Sequence, residues 1–127
     1  MLKKLVPFFF LAASLIGCNN QAEEEQIAFP AAVFTISPDT SKINEPITFE
    51  VKITAGDQAV EDADVKLEFW QDGQEDSEHI MIPIEHTSDG SYTLEKSFES
   101  PGTYFVYYHA DAMSMHMMEK SSFTITE

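Results

Sequence analysis

Alternation with a period of two residues dominates this chain. Ile47, Phe49, Val51 and Ile53 are apolar, while Thr48, Glu50, Lys52 and Thr54 between them are polar. Such a segment can bury one face only as an extended strand, because successive side chains leave a strand on opposite sides. The same pattern recurs in Val65, Leu67 and Phe69 against Lys66 and Glu68, and in Ile80, Ile82 and Ile84 against His79, Met81 and Pro83. Turn signals separate the runs: Pro38-Asp39, Gly56-Asp57, Asp72-Gly73, Asp89-Gly90 and Pro101-Gly102. Past residue 30, no segment of useful length carries a helical period.

Seven strands follow from this reading: Val33 to Ser37, Ile47 to Thr54, Val65 to Phe69, His79 to Ile84, Tyr92 to Phe98, Thr103 to His109, and about Met117 to Thr126. Pro83 has no N–H to give a ladder, which places the fourth at a sheet edge. TYFVYYH (103–109) is apolar on both faces and belongs in a sheet centre. Short connections and this strand count predict an all-β, immunoglobulin-like antiparallel sandwich over residues 31–127. Tyr92 and Tyr104 each stand two residues after a turn glycine, where a phenol can bond backbone at a corner or simply pack in the core.

The N-terminal residues describe an export signal. Lys3 and Lys4 precede an apolar run from Leu5 to Ile16, well short of the roughly 20 residues a membrane span needs. It closes on Leu15-Ile16-Gly17-Cys18, a lipobox-like ending, and Cys18 is the chain's only cysteine. The expectation is a lipoprotein signal peptide over 1–17, lipidation of Cys18, and a flexible acidic tether through residue 30 that could reach about 40 Å when extended. The protein would then sit on the extracytoplasmic face of a bacterial membrane, held by acyl chains, without a disulfide.

Removing Lys3 and Lys4 leaves five lysines, no arginine and 22 acidic residues, a formal charge of −17. That balance excludes nucleic acid as a partner. It serves solubility, or attraction of cations or a basic partner. Catalysis finds little support: the mature chain has no thiol, no serine in a nucleophile motif and no phosphate-binding glycine loop, so the chain is expected not to be an enzyme.

Histidine and methionine point to chemistry. All four histidines, and every methionine except Met1, fall in two windows. His79, Met81 and His86 form the first, and His109, Met113, Met115, His116, Met117 and Met118 the second. Imidazole with thioether suits copper, especially Cu(I), whereas two or three imidazoles with Asp111 would serve Cu(II). Zinc without cysteine is less favoured, and the acidic runs fit no calcium loop. Period two puts His116 and Met118 on one side of a strand, with Met115 and Met117 on the other. His109 should lie across the hairpin, whose connection is expected over Ala110 to Ser114. A site of His109, His116 and Met118, with Met115 or Met113 closing over it, follows, and His79, Met81 and His86 are candidates to join it. Met81 among isoleucines also reads as packing, and His79 as a simply exposed side chain. The second window could equally be a methionine-rich docking loop, since methionine suits adaptable surfaces.

Three stretches carry a family resemblance: Val60-Glu61-Asp62-Ala63-Asp64-Val65-Lys66-Leu67-Glu68-Phe69-Trp70; Asp89-Gly90-Ser91-Tyr92 with Pro101-Gly102-Thr103-Tyr104; and His109 with Met115-His116-Met117-Met118. On these residues the chain resembles the small bacterial proteins with a YtkA-like domain, also described as FixH-related. The resemblance implies a lipid-anchored β-sandwich associated with respiratory or copper-handling proteins, such as a copper-dependent membrane protein. Family members often have proline after the final methionine, where this chain has Glu119. The resulting expectation is a copper-binding lipoprotein with a possible metallochaperone role, or alternatively a non-enzymatic domain docking on a membrane respiratory complex.

Overall fold

Alternation becomes burial most fully in the central strands of the structure, a computed structural model that describes residues 28–127, whereas Ile80 of the expected apolar face is exposed. Nine strands follow in order: β1 Pro30–Ser37, β2 Thr40–Lys42, β3 Ile47–Ala55, β4 Gln58–Ala59, β5 Asp64–Gln71, β6 Ile80–Ser88, β7 Ser91–Lys96, β8 Gly102–Ala112 and β9 Met115–Thr126. Ile47, Phe49, Val51 and Ile53 of β3 are completely buried, as are Leu67 of β5 and Val106 of β8. The predicted signal peptide, Cys18 and nearly all of the tether lie outside the described residues.

The fold is an all-β, immunoglobulin-like sandwich. One sheet is β1-β3-β7 with the C-terminal part of β6, and β4 pairs with β3. The other runs from the N-terminal part of β6 through β5, β8 and β9 to the short parallel β2. β6 serves both: Ile80 to Ile84 pair with β5, whereas Glu85 to Ser88 pair with β7, with a bulge between His86 and Ser88. Pro83 lies in the part that pairs with β5, opposite Lys66.

The seven expected strands are β1, β3, β5, β6, β7, β8 and β9. The short β2 and β4 were not anticipated, because two or three residues carry no period. Several boundaries move: β1 starts earlier, at Pro30, and β6 runs on to Ser88. β7 stops at Lys96, and Phe98 enters the core from the following loop. β8 continues to Ala112 and β9 starts at Met115, so Met113 and Ser114 alone make the turn, both with positive φ. Strand pairing therefore reaches the hairpin tip, where a five-residue connection was expected.

Phe49 is the hub of the core. Its ring meets Phe69 at 5.0 Å, Phe123 at 5.3 Å and Phe98 at 6.3 Å between centroids, all edge to face. This geometry sets the positive edge of one ring on the negative face of the next. Tyr104 donates to the Ser100 carbonyl at 2.7 Å, a corner bond to the preceding backbone. Tyr92 instead reaches a distant loop, donating to the Val60 carbonyl at 2.8 Å and accepting from the Ala63 N–H at 2.9 Å. Gly90 must be glycine: φ is +79°, and a Cβ there would stand 2.5 Å from the Ile53 carbonyl oxygen.

Phe49→Ala should destabilise the domain by about 3–5 kcal/mol, the usual range for a buried phenylalanine, read from urea unfolding. Burial raises the phenol pKa of Tyr92, Tyr104 and Tyr108 above 10.0. The stability this contributes is complete below the unfolded value of 10.0 and is lost as pH rises through the folded values. An absorbance titration at alkaline pH should show these three phenols ionising late, together with unfolding.

Candidate metal centre

The outer face of the second sheet gathers the chemistry. Because Val65, Leu67 and Phe69 face the core, Lys66, Glu68 and Trp70 of β5 face outward. The same parity turns Phe105, Tyr107, His109 and Asp111 of β8 out, since Tyr104, Val106, Tyr108, Ala110 and Ala112 are buried. In β9 the buried Phe123 and Ile125 leave His116, Met118 and Lys120 outside. Register then sets His109 beside Met118, Asp111 beside His116, and Glu68 between Met81 and Tyr107.

Two carboxylates organise three imidazoles. Glu68 takes His79 Nδ1 on one oxygen at 2.6 Å and His109 Nε2 on the other at 2.8 Å. Asp111 takes His116 Nδ1 at 2.8 Å. The His79, Glu68 and His109 side chains are only 13%, 20% and 19% exposed. Burial alone pushes the Glu68 carboxyl up, but the hydrogen bonds and charge of His79 and His109 outweigh it and hold the group below its ordinary 4.5. The His79 ring also lies flat on Trp70, 4.2 Å away and 9° from parallel.

The His109 and His116 rings are 5.7 Å apart between centroids. One ion can span that gap, since an imidazole–metal bond of about 2 Å puts the ion about 3 Å from each ring centre. Met118 stands directly across the ladder from His109, where opposed Cβ atoms are about 5 Å apart. Histidines that bind metal commonly give their other N–H to a carboxylate, and Glu68 and Asp111 supply that second contact here. Among the described residues no group of three His, Cys, Asp or Glu side chains forms a ready cage. An ion here would need the thioether, which favours a soft one.

Two expected donors, His86 and Met115, do not join this face. His86 lies beyond the crossover in β6, packs on Tyr92 at 5.3 Å, and accepts from the Gly90 N–H at 3.2 Å. Its position follows from the strand's change of sheet, so it is not part of the centre. Met115 pairs with buried Ala112 and has the inward parity of Met117, which packs on the core. That parity directs it away from His116. Met113 sits at the turn, exposed. His79 is not the freely exposed side chain considered above, because Glu68 and Trp70 hold it. Met81 faces outward, half exposed, and does not pack among the isoleucines. Glu68, one of 22 acidic residues, had no local signal of importance. Only its outward parity in β5, combined with pairing to β6 and β8, could have picked it out.

The sequence profile of the YtkA-like family matches residues 28–109. The chain belongs to the YtkA-like family. The match ends at His109, within β8, so the methionines from Met113 to Met118 lie beyond the matched segment. No curated protein matches significantly. Among solved structures, the chain is similar to the PmoD soluble domain from Methylocystis sp. ATCC 49242 (Rockwell), at 13% identity and TM-score 0.50, covering 77% of this chain and 91% of that one. An engineered protein has TM-score 0.51 at 17% identity, over 76% of this chain and 20% of that chain. A superoxide reductase (neelaredoxin) from Ignicoccus hospitalis has TM-score 0.48 at 14% identity, over 84% and 92%. At these identities the first two likenesses concern the fold alone.

The stability supplied by Glu68 should be complete above pH 4.5 and lost as pH falls through its depressed folded value. The acid limb of a urea-stability profile should therefore flatten in Glu68→Gln. His116→Ala and Met118→Ala remove exposed side chains, and each should change stability by no more than about 0.5 kcal/mol.

Proposed function

We propose that this is a copper-binding protein, lipid-anchored at Cys18 on the extracytoplasmic face of a bacterial membrane, which holds Cu(I) through His109, His116 and Met118. One observation carries the reading: two imidazoles 5.7 Å apart, each with one nitrogen held by a carboxylate, lie beside a thioether on a single sheet face. His116 and Met118 are about half exposed, which suits exchange of the ion with a partner. Thioether donors bind Cu(I) well yet release it readily to competing soft ligands. A carrier that passes copper to a membrane protein fits these features better than a catalyst.

A second reading rests on the exposure of Met81, Met113, Met115 and Met118. These four could form an adaptable docking surface for a membrane complex, with no metal involved.

Titrating the purified protein with Cu(I) against a chromogenic chelator separates the two. The copper reading expects one tight equivalent. The His109→Ala/His116→Ala/Met118→Ala variant should weaken it by more than roughly 100-fold, since losing a supporting contact alone typically costs 10–100-fold. Failure of the wild type to compete even with a weak chelator would leave the docking surface as the better account.

A further inference from the structure

Resting on that copper reading, we propose that Glu68 is a positioning residue: its carboxylate fixes His109 with Nδ1 as the donor nitrogen, and His79 anchors that carboxylate and does not bind the ion. A neutral imidazole has one N–H and one lone pair, whereas a carboxylate can only accept. Each ring nitrogen facing Glu68 therefore carries the proton. His109 donates from Nε2 at 2.8 Å and keeps its Nδ1 lone pair. His79 donates from Nδ1 at 2.6 Å, and its remaining Nε2 stands 3.7 Å from Asp76, on the loop that precedes β6.

Both Glu68 oxygens are thereby used, by residues 11 and 41 positions away in sequence. The Trp70 stack restrains the His79 ring, and with it the direction of the carboxylate. Trp70, His79, Glu68 and His109 thus form a chain of contacts that ends at the donor, across β5, β8 and the residue just before β6. By contrast, the exposed His116–Asp111 pair is a single contact, with no further anchor at its carboxylate among the described residues.

The test is a long-range proton–nitrogen NMR spectrum of the ¹⁵N-labelled protein, which reads imidazole tautomers, joined to the Cu(I) competition. At about pH 8, where free imidazole is neutral, the wild type should show His109 protonated on Nε2 and His79 on Nδ1. In Glu68→Gln the amide must donate to one of the two rings, so one tautomer should invert. Cu(I) affinity should fall 10–100-fold in Glu68→Gln and Glu68→Ala, the usual consequence of losing such a contact. His79→Gln keeps an N–H for Glu68 and should stay close to wild type, whereas loss equal to that of His109→Ala would make His79 a ligand and overturn its anchoring role. Normal Cu(I) uptake with unchanged tautomers and affinity in Glu68→Gln would overturn the role of Glu68 alone. No uptake by the wild type would sink the copper reading, and this role with it.

Discussion

The packing of Phe49 between the two sheets is the interaction on which the rest depends. Its contacts with Phe69 and Phe123 tie β3 of one sheet to β5 and β9 of the other. A strand has only two faces, so burying one set of residues fixes where the other set points. A slip of one residue would exchange the faces. Glu68 lies next to Phe69, so the residue that seals the core also turns the carboxylate outward. The position of the candidate centre is in this sense a by-product of hydrophobic burial.

On that outer face, the polar groups are connected and not merely adjacent. A half-buried carboxylate without donors would be costly, and Glu68 has one for each oxygen. Among the described residues no buried side-chain nitrogen or oxygen lacks a partner. The inner part of the centre is therefore held rigidly, while the His116 and Met118 side is open to solvent. A fixed half and an open half within one site suit an ion that must be recognised and also surrendered.

Much of the fold was legible because its long strands alternate cleanly, β3 above all. The candidate site was legible only in part. His109 with His116 and Met118 could be found because a hairpin is local: parity and a short turn suffice. Glu68 could not, because its partners depend on how β5 pairs with both β6 and β8, and periodicity says nothing of which strands are neighbours. His86 misled for a related reason. Its strand crosses from one sheet to the other, so closeness in sequence to His79 did not become closeness in space. The reach of β8 and β9 to the tip was hidden because Met113 and Ser114 are not typical residues for a tight turn.

That turn also shows what the fold gives up. Met113 and Ser114 hold φ of 53° and 63° without being glycine, and left-handed backbone costs an ordinary residue about 1–2 kcal/mol. Two-residue hairpins of this kind favour Asn-Gly, which would relieve the strain. It would also remove sulfur from the most protruding point of the hairpin. The tip is thus a place where foldability and surface chemistry make opposing demands on the same two positions, and in this chain the side chain prevails over the backbone.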